Sequence, residues 1–219
     1  MIEIKIIEMG GFKAALHGMR NPKDSWNRTD TVPAPDTEAG VMIGENDYKL
    51  AFDLSSGGSV HGKFRRMMKV WVDIKAPLYW WKEFDTYRAG VEKNSCSTMH
   101  TLHKRDLTGE DFSYDHLFGT AESSLADTIN TINHYRRLYV KAVENHDPVA
   151  KDYWWQMIQL LPSSFNQLRT VELNYEVLAN ICEYRAGHKL DEWRDFVNWA
   201  EKLPYSELFL QRMGMNGHG

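Results

Sequence analysis

Two cysteines, Cys96 and Cys182, are all the chain has. They are too few for a disulfide framework, and neither stands in a metal-ligand spacing. Histidines are more numerous, but His100 and His103 form the one near pair and no carboxylate completes a cluster, so no metal is expected. No apolar run reaches the length needed to cross a bilayer. The start, Met-Ile-Glu-Ile-Lys, has neither the basic nor the apolar stretch of a signal peptide. The expectation is a soluble, cytoplasmic protein that engages no membrane. Positive charge is not in excess either. A net charge of −4 gives no basic field to attract nucleic acid, and none is expected as a partner. There is no GxGxxG or P-loop, so a bound nucleotide would be held by another device. No Ser/His/Asp spacing is visible, and no internal repeat.

Aromatics are plentiful. Eight Trp supply flat surfaces that suit either a core or a stacking ligand. The densest stretch runs from Lys69 to His100. Val70-Trp71-Val72-Asp73-Ile74 alternates as a half-buried strand does. Ala76-Pro77 ends it, and the proline starts a helix over roughly 77–87. That helix carries Trp80, Trp81, Phe84 and Tyr87 at helical spacing. It delivers Arg88 to a Gly turn and a polar tail, Asn94, Ser95, Cys96, Ser97 and Thr98. This pattern builds an anion or nucleotide site, or else a core helix followed by a surface loop.

Before this stretch, Ile2 to Glu8 reads as a strand and Phe12 to Met19 as a short helix stopped by Asn21-Pro22. Residues 22–46 read as a long Pro-, Asp- and Gly-rich loop, and 47–54 as a short amphipathic piece. Within His61 to Met68, Lys63, Arg65 and Arg66 lie close enough to attract phosphate, or form a solvated strand face. After it, 103–118 is aperiodic loop. Helical periods then run over 124–145, 149–161, 168–185 and 190–203, closed in turn by Pro162, Ala186-Gly187 and Pro204. The Met-Asn-Gly-His-Gly tail has no structure to expect. Strands early and helices late predict one α+β domain over 1–219, a small mixed or antiparallel sheet packed with several long helices. Asn174, Asn180 and Arg185, all on the predicted 168–185 helix, share no single face. They would line a curved groove, or act as capping and exposed residues, with Arg185 on the helix dipole.

The order of these features resembles the flavin-dependent thymidylate synthase (ThyX) family, in a divergent, phage-like form. The likeness covers about two-thirds of the chain, from His61 to Pro204. A strand ends in Ala76-Pro77. Thr86-Tyr87-Arg88, eight residues, then Ser97 stands where the family carries Arg-His-Arg, seven residues, then Ser. Leu161-Pro162 matches a helix ending in Leu-Pro, and Asn174, Glu176, Asn180 and Arg185 match a later Asn-x-Arg helix.

The resemblance implies a ThyX-like fold and a homotetramer with FAD at subunit interfaces. It implies reductive methylation of dUMP to dTMP, with methylenetetrahydrofolate giving the carbon and NADPH the electrons. It places Arg88 and Ser97 in catalytic positions, and His61, Arg88, Asn174, Asn180 and Arg185 against FAD. Ser95, Ser97 and Arg185 fall on the nucleotide. Glu83, Thr86, Tyr87, Met99, Ile158 and Glu176 depart from the family pattern, Thr86, Met99, Ile158 and Glu176 by loss of an Arg. Those losses keep two other readings open: transfer of a hydroxymethyl group to a pyrimidine nucleotide, or a descendant that keeps only the fold.

Overall fold

The computed structural model describes residues 2–211. In chain order it contains β1 (Glu3–Gly10), α1 (Phe12–Arg20), β2 (Val32–Pro33), β3 (Val41–Met42), α2 (Glu45–Ser56), β4 (Lys69–Pro77), α3 (Leu78–Phe84), β5 (Glu92–Ser95) and α4 (Thr98–Thr101). The long pair α5 (Thr120–Glu144) and α6 (Ala150–Leu160) follows, then β6 (Asn166–Asn174), α7 (Tyr175–Arg185), α8 (Asp191–Ala200) and α9 (Glu207–Leu210). The fold is α+β, with a four-stranded antiparallel sheet in the order β1-β4-β6-β5 and a separate two-stranded hairpin, β2-β3. Among the described residues, no helix is long and apolar enough to cross a membrane.

The chain divides into two compact units. The first comprises Lys75–Phe84 and Ser95–Arg169. Its α3 is buried through Trp80, Trp81 and Phe84, with the two indoles edge-on at 4.9 Å and Trp80 stacked on Phe84 at 5.0 Å. The Trp81 indole N–H donates to the Gln167 carbonyl (2.9 Å), and Arg169 lies 4.3 Å over the same ring. A second apolar cluster, Leu102, Leu107, Phe112, Leu125, Ile132 and Met157, seats α5 and α6. Asn133 on α5 pins the incoming loop by both ends of its carboxamide, accepting from Leu107 N and donating to Leu107 O.

The second unit comprises Ile2–Ile74, Asp85–Asn94 and, of the described residues, 170–211. Val70, Val72 and Ile74 of β4 are fully buried, as their alternation predicts. Phe12 meets Tyr175 edge-on at 5.3 Å, and Tyr175 meets Phe209 at 4.8 Å.

The 22–46 segment is not a plain loop. It holds two short 3-10 turns and the β2-β3 hairpin, and it finishes α2. Gly44 at that helix's N-cap has no side chain to offer, and Asp30 fills the role, accepting from Asn46 N (2.9 Å) and Asp47 N (3.0 Å). Those backbone donors, Asn46 first, hold the Asp30 carboxyl below the usual range. Asp47 in turn accepts from Arg20 Nε (2.6 Å), Thr31 Oγ1 (2.6 Å) and Thr31 N (3.1 Å), fully buried. Asp47→Asn keeps the shape but places a donor against these donors and leaves Arg20 buried without its counter-charge. It is expected to cost roughly 3 kcal/mol, a fall of about 6–12 °C in Tm for a chain of this size, measurable by thermal unfolding.

Four expectations are corrected. The 168–185 segment is not one helix: Asn166–Asn174 is a strand and only Tyr175–Arg185 is helical. Thr170-Val171-Glu172-Leu173 alternates, with Val171 and Leu173 buried, and pairing into the sheet outweighs the helical spacing of the apolar residues. The aromatic helix stops at Phe84, not Tyr87, where Asp85 and Thr86, poor helix formers, begin a turn. The polar tail from Asn94 is structured. It finishes the charged strand β5 and, from Thr98, forms α4. His61–Met67 is a 3-10 stretch, not a strand face. The C-terminal tail lies outside the described residues.

Candidate functional site

A cavity with a mixed polar and apolar lining belongs wholly to the second unit and measures ≈ 750 Å3. One wall is a face of α7. Glu176, Asn180 and Glu183 recur at four- and three-residue spacing, with Tyr184 one step round at the mouth, 72% exposed. The opposite walls are the end of α2 with the Gly58-Ser59 turn, and the backbone of Ala89-Gly90. Arg66 is the cation among the lining residues.

Asn174 sets the geometry. It is the N-cap of α7, and its Oδ1 accepts from Glu176 N (3.1 Å) and Val177 N (3.0 Å). Its Nδ2 donates to Gly90 O (3.3 Å), which draws the 89–90 turn onto the helix start. Gly90 has φ +75°, and a Cβ there would sit 2.5 Å from Asn174 Nδ2. Only glycine allows both the turn and the approach.

Charge in the cavity is nearly balanced. Glu176 faces it but is paired with Arg65 at 2.5 Å. Arg65 is fully buried and also donates to Leu208 O (2.9 Å) and Gly62 O (3.3 Å). The expected cluster of three phosphate-attracting cations is therefore corrected. Arg65 is consumed by the core, Arg66 lines the cavity and Lys63 does not.

Of the other residues singled out from sequence, Asn174 and Asn180 line the cavity; His61, Arg88 and Arg185 do not. The His61 ring packs on Gly57, at 3.1 Å from where a Cβ would be, beside the Gly58-Ser59 wall. Arg88 is exposed, next in chain to Ala89. Arg185 Nε donates to Tyr87 OH (3.0 Å), and its guanidinium stacks 4.6 Å over Trp193. Ser95 ends β5, exposed, and Ser97 precedes α4, its carbonyl accepting from Thr101 Oγ1 (2.8 Å). Both serines lie in the first unit.

The departures from the family pattern have local reasons. Glu176 answers Arg65, Tyr87 holds Arg185, and Ile158 packs against the α5-α6 apolar cluster. Glu183, Tyr184 and the Ala89-Gly90 wall were not anticipated. The helical period counted forward from Asn180 finds the first two, whereas no short-range signal marks the third. Among the described residues, no group of three or more His, Cys, Asp or Glu is placed to hold a metal ion. Burial pushes the Cys182 thiol up to about 12, which makes it inert at neutral pH.

No protein-family model and no curated protein matches the sequence. Solved structures do match in fold. The structure of Thymidylate Synthase X (ThyX) from Helicobacter pylori with FAD and dUMP superposes with a TM-score of 0.66 at 17% identity, covering 97% of this chain and 99% of that one. A second structure of the Helicobacter pylori flavin-dependent thymidylate synthase ThyX, again complexed with FAD and dUMP, gives 0.66 at 16% identity over 96% and 99%. The chain has the ThyX fold.

Proposed function

We propose that the protein is a flavoprotein that reductively methylates dUMP to dTMP, with methylenetetrahydrofolate and NADPH as co-substrates. One observation carries the reading: a likeness spanning nearly the whole of both chains to structures that contain FAD and dUMP, joined to a polar cavity of cofactor size on α7.

The residues present fit FAD. A volume of ≈ 750 Å3 lies within the range of about 300–1,000 Å3 typical of ligand pockets. The Asn180 carboxamide and the 89–90 backbone supply neutral hydrogen-bonding partners, and Tyr184 an aromatic face. Arg66 is the cation for the diphosphate, while Arg65 neutralises Glu176 so that it does not repel it. FAD, once bound, supplies the hydride that NADPH delivers and that a methylene carbon needs to become methyl. Asn174 contributes by shape, fixing the α7 start against Gly90. Arg88, exposed and outside its own chain's cavity, serves the flavin and nucleotide of a neighbouring copy in a homotetramer. His61 flanks the flavin, and Ser95, Ser97 and Arg185 hold the nucleotide.

Purified protein is expected to carry, or to take up, FAD with a flavin absorbance spectrum. Asn180→Ala and Tyr184→Ala are each expected to weaken uptake about tenfold, the loss of roughly one good polar or stacking contact. The protein should then release tritium from 5-labelled dUMP when given the folate and NADPH. A colourless protein that takes up no added FAD overturns the reading.

Tyr87 in place of a signature residue, and its hold on Arg185, favour one competing reaction, hydroxymethyl transfer. This leaves the transferred carbon unreduced and so uses no NADPH. Mass spectrometry of the product separates the two, since a methyl group and a hydroxymethyl group differ by one oxygen.

A further inference from the structure

A cavity of ≈ 350 Å3 lies wholly within the first unit, between one face of α5 and the loop that precedes that helix. Glu122, Leu125, Ala126, Ile129 and Asn130 recur at three- and four-residue spacing and share that face. Leu125, with Leu107 from the loop, is buried in the apolar cluster beneath, and Ile129 packs against the same cluster, so the floor is apolar. Ala126 contributes no more than a methyl group to the lining.

The opposite wall is held in place by the fold itself. Asn133 clamps both backbone groups of Leu107 (2.7 and 2.8 Å). Thr108 and Asp111 close a capping box over the next turn, and Leu117 N donates to Tyr114 O (2.8 Å). Tyr114 lines the cavity with its ring exposed. The charge is simple. Glu122 is the one charged side chain in the lining, and its carboxylate has no ion-pair or hydrogen-bond partner among the described residues.

We propose that this cavity binds a small primary amine, its ammonium at Glu122 and an aromatic body over Leu107, Leu125 and Ile129. An apolar floor with a few placed polar groups, in a volume inside the usual range of about 300–1,000 Å3, is the common form of a small-molecule site. A single carboxylate asks for a single positive charge. An ammonium brings three donors, and the Glu122 oxygens and the Asn130 carboxamide oxygen are acceptors on one helix face. The Tyr114 ring attracts both the cation and an aromatic body. An acidic ligand would meet Glu122 with no cation in the lining to offset it. None of these lining residues is among those of the flavin cavity, and the inference does not rest on the flavin reading.

The test uses the full chain with three probes of one shape and different charge: tryptamine, its neutral alcohol tryptophol and the anion indole-3-propionate. Binding is followed by calorimetry and by saturation-transfer NMR of the probe. Tryptamine is expected to bind, tryptophol about tenfold more weakly, and indole-3-propionate most weakly of the three. Glu122→Gln keeps the shape and removes the charge. It is expected to weaken tryptamine about tenfold and to leave tryptophol unchanged. Ala126→Leu fills the cavity with a good helix former at an exposed position and is expected to abolish binding of both. FAD uptake and Tm should stay as in the unsubstituted protein for Glu122→Gln, which carries the test even if Ala126→Leu fails to fold. No tryptamine binding by the intact protein, equal affinity for tryptamine and tryptophol, or undiminished tryptamine binding in either variant overturns the inference. Loss of FAD uptake by the intact protein with tryptamine binding retained would count against the flavin reading alone.

Discussion

Arg65→Met is expected to destabilise the protein by roughly 3–5 kcal/mol, the usual cost of stripping one partner from a buried ion pair. Arg65 is fully buried and Glu176 is 6% exposed. Methionine matches the length of the stem but removes every donor. The Glu176 carboxylate loses its counter-charge, and the Leu208 and Gly62 carbonyls lose the donors that now reach them at 2.9 and 3.3 Å. The loss is too large to arise from packing alone, because the apolar volume is nearly kept. Arg65→Met/Glu176→Leu separates the terms. With both charges gone, only the carbonyl partners and small shape differences remain, and most of the stability should return. Denaturant unfolding of the two variants reads this directly. A single variant as stable as the double would show that the pair contributes nothing, and that Glu176 is solvated from the cavity. The flavin reading predicts a further split. The double variant folds, yet Glu176→Leu leaves the cavity a more apolar wall, so FAD uptake rather than Tm reports on that face.

How much of this was legible in the sequence depends on the range of the interaction that decides each element. The Val70 to Ile74 alternation is local and read correctly as a strand. Trp80, Trp81 and Phe84 were read correctly as a helical face, and the α+β class with a small antiparallel sheet is what the structure has. β6 was misread because Leu168, Val171, Leu178 and Ile181 also fit a helical stripe. What decides between the periods is a partner strand about 100 residues away: Thr170 Oγ1 donates to Asp73 (2.6 Å), and Lys69 pairs with Glu172. That error carried into the site. Placed on one helix, Asn174 and Asn180 are two groove residues; at a strand-helix junction, Asn174 is a cap. β5 escaped notice because Glu92-Lys93-Asn94-Ser95 has no apolar face, as suits the edge strand of a sheet. Arg65 could not be told from Arg66 by composition. Burial separates them, and the tight approach of its guanidinium to Gly62, where a Cβ would meet it at 2.6 Å, is a tertiary fact.

Gly90→Ala tests whether the junction that shapes the flavin cavity is as constrained as its geometry indicates. Two costs combine. A φ of +75° is left-handed for an L residue and costs about 1–2 kcal/mol. The new methyl would also lie 2.5 Å from Asn174 Nδ2 and 3.3 Å from Val177 Cγ2. Asn174 must swing away, and α7 then loses its N-cap, about 1 kcal/mol more. The sum, roughly 2–3 kcal/mol, should appear as a lower Tm and, on the flavin reading, as poor FAD uptake, because the 89–90 wall moves. The two costs can be told apart in an Asn174→Ala background. There the carboxamide that the methyl strikes is already absent, so adding Gly90→Ala costs only the backbone term, and the double variant is more stable than the two single losses predict. Strict additivity would place the strain in the turn itself and free Asn174 of any part in holding it. The cavity would then owe its shape to Gly90 alone, and FAD uptake would fall in Gly90→Ala but not in Asn174→Ala.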